Sequence, residues 1–321
     1  MSGFTRDADG RLRAAWRVGA FLIAFLLLVL LLGGVAAIAF PELATTSLLP
    51  SAVAAAVAAM GASWWAAERL EGIPVASLGL PLDGLAAREL GRGFLVGGTL
   101  IGVAVTALAV TGSARWTLDP GGIVPAELAG SFLRLTLFLL VAAWTEELLF
   151  RGYPLQAAAE AAGPTAAIAA TSLFFGVAHS ANPGLAGQLT DGVTMAEILP
   201  LLNIGLAGVV LGLAYWRTLS LWFATGVHLG WNWVMGFLAD LPVSGLEAGT
   251  PGYELFDTPG WSVTVRGPEL WTGGAFGPEG GLAVTVASLA AIAWLLRTDR
   301  LERSLRIAAL RPLSDRGRAA D

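Results

Sequence analysis

The sequence predicts an all-α fold: a polytopic bundle of about eight membrane helices with both termini cytoplasmic. Three observations carry this reading. Of 321 residues, 55% are hydrophobic and only 13% are charged. Apolar runs recur at the ~20-residue length that crosses a bilayer as a helix. Lysine is absent, and the arginines gather between alternate runs, as the positive-inside bias requires.

An arm, 1–16, carries Arg6, Arg11 and Arg13, and Arg17 opens the first run, about 17–40. That run is longer than the apolar core of a signal peptide and reads as a retained span, although Ala37–Ala39 has the Ala-x-Ala pattern. Runs at about 48–66 and 93–112 complete an N-terminal part, 17–126, and the intervening loop holds Arg69, Arg88 and Arg92. Gly93/Gly97 and Gly98/Gly102 have the spacing of closely packed membrane helices. A core at 127–240 contains runs at about 127–150, 164–180, 197–215 and 219–239, with Arg217 marking the turn between the last two. The fourth run can continue helically through "GYPLQAAAEAAG", kinked near Pro154. The Gly- and Pro-rich stretch 241–280, with Trp261 and Trp271, reads as an extracytoplasmic loop. A last span, 281–297, leads into a basic cytoplasmic tail, 298–321. The opposite loops hold only Arg115 and Arg266, so an even number of spans satisfies the charge distribution.

Cysteine is absent, which excludes disulfides, thiolate metal sites and cysteine nucleophiles. There is no internal repeat, no soluble second domain and no nucleic-acid signature. The Ala-, Gly- and Arg-rich composition suggests a GC-rich bacterial genome and hence the bacterial plasma membrane. The bilayer is the expected partner from composition, and oligomeric state is not legible.

Ionisable groups inside membrane spans are costly and mark functional sites by default. Here they are Arg134, Glu146, Glu147, Arg151, His179 and His228, joined by the uncharged Asn203 and Asn232. Both histidines of the chain are among them. Glu147 and Arg151 are four residues apart with the acid first, the better order for a helical pair. Glu146 is rotated ~100° from Glu147 and faces elsewhere. His228 and Asn232 are four apart in "HLGWN", as are Phe175 and His179 in "FFGVAH". If the fourth span runs on to about Ala161, Glu146 and His179 both lie roughly 22 Å from the cytoplasmic ends of their helices. They then meet near the membrane centre; if it stops at Arg151, they do not. Trp144, Trp231 and Trp233 adjoin these positions and suit packing or the wall of an apolar cavity.

"EELLFR", "FFGVAH" and "HLGWN" resemble, in order, the Glu-Glu-x-x-x-Arg, Phe-x-x-x-His and His-x-x-x-Asn motifs of the type II CAAX prenyl protease and bacteriocin-processing (Abi) family. "GGAFGPEGGL", 273–282, also looks like a C-terminal element of bacterial members. The resemblance implies an intramembrane endopeptidase whose site opens to the cytoplasm and whose partner is a peptide or lipidated protein substrate. Glu146 would be the general base, His179 would hold the attacking water, and His228 and Asn232 would bond the oxyanion. Glu147 and Arg151 would be the orienting pair, and Phe175, Trp144 and Trp231 would line the substrate cavity. Glu146, His179 and His228 also form a two-histidine, one-carboxylate set of the kind that holds zinc. The metal-free water mechanism is slightly favoured over it. Two other functions remain open on the same residues: a non-catalytic scaffold or immunity factor, and a proton-coupled transporter.

Overall fold

The computed structural model describes residues 5–7, 10–42, 47–182, 185, 195–246, 260–301, 303, 309 and 313. Most of the expected tail, 298–321, and the middle of the 241–280 loop lie outside them. The helices are α1 (Ala14–Ala39), α2 (Leu49–Trp65), α3 (Gly84–Val110), α4 (Pro125–Glu147), α5 (Tyr153–Ala162), α6 (Pro164–Ala178), α7 (Met195–Thr218), α8 (Leu221–Trp233), the short α9 (Glu269–Thr272) and α10 (Leu282–Arg297). Turns of π-helix extend α2 over Ala66–Glu71, join α4 to α5 over Leu148–Gly152, and extend α8 over Val234–Leu238.

Five of the eight expected segments are long and apolar enough to cross a membrane among the described residues: Ala14–Ala39, Leu49–Glu71, Gly84–Val110, Pro125–Ala162 and Ile198–Thr218. The other three are helical but shorter, with 15 residues in α6, 13 in α8 and 16 in α10. For α8 the physical reason is burial. From Phe223 to Asn232 every residue is buried, so other helices surround it and lipid does not set its length. By contrast α1 exposes Leu26, Leu27, Leu30, Leu31 and Ile38, the face that lipid would cover.

The all-α expectation needs one correction. Strand β1 (Ala114–Leu118) pairs antiparallel with β2 (Trp261–Val265), Arg115 opposite Thr264. Two five-residue strands so far apart in sequence leave no local pattern to read. The pair ties the α3–α4 connection to the segment before α10, and Trp116 Nε1 adds a 2.7 Å bond to the Ala239 carbonyl.

Helix α8 is held by backbone contact with α3. A Cβ on Gly93 would lie 2.2 Å from the Phe223 carbonyl oxygen, and one on Gly97 would lie 1.8 Å from that of Val227. The relation is mutual: at Gly226 and Gly230 a Cβ would meet the Leu90 and Phe94 oxygens at 2.2 and 2.1 Å. Small residues let helices approach this closely. The Gly93/Gly97 expectation thus finds its partner in α8. Gly102 has no such neighbour within 4 Å.

A ring of charges closes the end of the bundle where α1 begins. Arg11 bonds Glu71 Oε2 at 2.7 Å and Glu160 Oε1 at 2.8 Å; Arg17 bonds Glu71 Oε1 and Glu160 Oε2, both at 2.7 Å. The Tyr153 hydroxyl donates to Glu71 Oε1 at 2.8 Å. The arm, α1, the end of α2 and α5 are thereby joined.

Candidate active site

Helix α4 delivers two adjacent carboxylates to the interior. Glu147 is fully buried and accepts from Arg151 Nη1 at 2.9 Å. Arg151 is buried too; its Nη2 donates to the Gly208 carbonyl at 3.3 Å, and its guanidinium carbon sits 4.2 Å from the Phe175 ring centroid. A buried charge needs such partners, because the low dielectric penalises any that is left alone. The π turn starting at Leu148 carries Arg151, and the chain then continues helically to Ala162. The continuation that the depth estimate required is therefore present. The irregularity falls at Gly152, where ψ is −120°, two residues before Pro154.

Glu147 also bonds His228 Nδ1 at 2.9 Å through the same Oε1 that meets Arg151. Sequence spacing did not show this link, because it joins α4 to α8. His179, at the end of α6, places Nδ1 2.7 Å from the Phe175 carbonyl. A carboxylate and a carbonyl can only accept, so each Nδ1 carries its proton. In its neutral form each ring then presents a lone pair at Nε2.

Both Nε2 atoms turn toward Glu146. Its Oε2 lies 3.8 Å from His179 Nε2 and 3.7 Å from His228 Nε2. These separations exceed a direct hydrogen bond and lie within reach of one bridging water. The Oε2 atom is itself buried and has no hydrogen-bond partner, while the Glu146 side chain as a whole is 31% exposed. Neutral imidazole nitrogens and a carboxylate are zinc donors by type. Among the described residues, however, no three His, Cys, Asp or Glu side chains close into a metal-binding group, and no step is assigned to a metal.

A small cavity adjoins the histidines, with Phe175, His179, His228, Trp231 and Asn232 in its wall. Ile204, Val210, Leu211 and Val227 make much of the rest apolar. Trp144 does not line it: its ring stacks on Trp222 with centroids 5.9 Å apart. Trp233 packs against Phe94 and donates to the Thr136 hydroxyl. Arg134 is exposed and donates to the Ser131 hydroxyl. Asn203 donates to the Glu279 and Gly281 carbonyls at 2.8 and 3.0 Å, holding the turn before α10.

Residues 128–234 match the family model of the Rce1-like type II CAAX prenyl endopeptidases. The Rce1-like segment covers about a third of the chain and contains every residue assigned a site role from the sequence, from Trp144 to Asn232. The Rce1-like family is one of proteases, and the five helices long and apolar enough to cross a membrane suit a protein of the bilayer. No curated protein and no solved structure matches the chain. Ser244 and Glu279, which complete the cavity wall, lie beyond the Rce1-like segment. Sequence reasoning noted the stretch around Glu279 without assigning that residue a role. A lone acid in a Gly-rich loop has no periodic signal.

Proposed function

We propose that this chain is an intramembrane endopeptidase that hydrolyses a peptide bond of a membrane-associated protein, prenylated or not, with a water activated by Glu146. The observation that carries the reading is the approach of His179 Nε2 and His228 Nε2 to the partnerless Glu146 Oε2.

Glu146 takes a proton from the water as its oxygen attacks the scissile carbonyl carbon, and the carbonyl π pair becomes an oxyanion. His179, fixed by its bond to Phe175, orients the water. Asn232 Nδ2 and His228 bond the oxyanion; such donors commonly supply the largest single part of a rate enhancement. His228 donates from Nε2 only when both its nitrogens carry protons, and the Glu147 carboxylate then stands as countercharge at Nδ1. The Glu146 carboxyl finally gives its proton to the departing amine as the C–N bond breaks, which balances the hydrolysis. Arg151 and Phe175 hold Glu147 and His179 in place. The distribution of arginines supports cytoplasmic termini and a site reached from that side, in the plasma membrane of a bacterium.

The test is cleavage of a farnesylated CAAX reporter peptide and of its unprenylated form by detergent-purified protein, with Glu146→Gln matched by melting temperature. Cleavage of either by wild type, lost in the variant and retained in a chelator, is the expected result. Equal hydrolysis by the variant, or none by either protein, would overturn the reading.

A further inference from the structure

Glu279 breaks the apolar pattern of the cavity wall. It is only 6% exposed. Its Oε1 accepts from Trp231 Nε1 at 3.0 Å, and its Oε2 accepts from the Ser244 N–H at 2.7 Å and the Ser244 hydroxyl at 2.9 Å. The backbone that presents it is tightly folded: Gly273 and Gly277 have φ of 88° and 87°, and a Cβ on Gly273 would lie 1.7 Å from the Gly277 carbonyl oxygen. Its carbonyl is pinned by Asn203.

Among the described residues four carboxylates are buried, and Glu71, Glu89 and Glu147 each have an arginine within ion-pair distance. Among the described residues Glu279 has only neutral donors. They fix its position without cancelling its charge, and a buried charge left uncompensated is costly. A cation entering the cavity is therefore attracted by Glu279, and a free carboxylate is repelled. A long side chain with an aliphatic stem and a cationic head suits these walls, its methylenes against Val210, Leu211 and Val227 and its head at Glu279.

We propose that Glu279 forms a cation-accepting subsite, by which this chain selects peptides carrying a lysine or arginine side chain beside the scissile bond. Its effect on cleavage rests on the endopeptidase reading; its binding of a cation does not.

The experiment therefore has two arms on the full chain in detergent. In the first, quenched reporter peptides differ at one residue flanking the bond: lysine, arginine, norleucine or glutamate. Wild type is expected to favour the basic peptides over norleucine by about tenfold or more in kcat/KM, the size of a charge-assisted contact, and to cleave the glutamate peptide least. Glu279→Gln is expected to collapse that ratio. Cleavage without a basic preference overturns the subsite and leaves the peptidase. No cleavage at all counts against the peptidase, and the second arm then decides the subsite. There, calorimetry measures N-butylguanidinium binding, with neutral butylurea as its isostere. Saturable binding of the cation, about tenfold weaker or more for butylurea and for Glu279→Gln, supports the subsite; equal binding overturns it. If Glu279→Gln fails to fold, the wild-type comparison of the two ligands still decides. Trp231→Phe, which removes a donor and keeps the charge, is expected to retain the preference for the cation.

Discussion

Two clusters of glutamate and arginine each draw on the long helical segment Pro125–Ala162, and they differ in what is left unfinished. In the ring, each carboxylate oxygen of Glu71 and Glu160 meets a guanidinium at 2.7 or 2.8 Å. Around Glu146 and Glu147 one oxygen of each acid has no hydrogen-bond partner, and two histidine nitrogens stop 3.7 and 3.8 Å short of Glu146. Charges that close on one another hold helices together. The unpartnered Glu146 oxygen, faced by two histidines that line the cavity, leaves a bond for a third party to make. The contrast separates structure from chemistry: both clusters are built on glutamate and arginine, and only the unfinished one adds histidines.

The largest expected effect would break the comparison if it failed. Glu146→Gln should lower reporter cleavage by about 10²–10⁴-fold, the usual worth of a general base. The melting temperature should hold, because Oε2 makes no bond to lose. Next, Asn232→Ala should reduce kcat by about 10²–10³-fold, as removal of one oxyanion donor does, with KM little changed; a KM effect alone would move Asn232 from chemistry to binding. In the ring the signs reverse. Arg17→Met should cost about 3 kcal/mol of stability by leaving buried Glu71 short of a partner, read as a lower thermal midpoint, while the folded fraction keeps its kcat. Arg11→Ala should cost less than about 1 kcal/mol, since its side chain is 38% exposed and solvent screens the pair. A loss of kcat in either ring variant would show that the two clusters are coupled through the helix they share.

Legibility from sequence followed locality. Glu147 and Arg151 were readable because a helix puts them on one face, and the helical pairs Phe175/His179 and His228/Asn232 were readable for the same reason. The bond from Glu147 to His228 was not, because it spans two helices and depends on how α4 and α8 are set against each other. The ring was hidden more deeply. Arg11 and Arg17 looked like topology signals in a polar arm, and nothing near them named Glu71 or Glu160 as partners. Cavity residues were half legible: Phe175 and Trp231 line it, whereas Trp144 stacks on Trp222. Trp144 is two residues from Glu146, about 200° round the helix, so closeness in sequence puts it on nearly the opposite face.

The interlocked glycines of α3 and α8 bear on how variation in this chain should be read. Gly93 and Gly97 lie outside residues 128–234, so nothing in the matched segment marks them. Yet they touch the backbone of the helix that carries His228 and Asn232, with no flexible side chain between to absorb a change. In a scan of all substitutions, intolerance should appear at two positions four residues apart in a helix that contributes no side chain to the catalytic set. A sequence variant there, however conservative it looks on paper, would act at a distance of one atom.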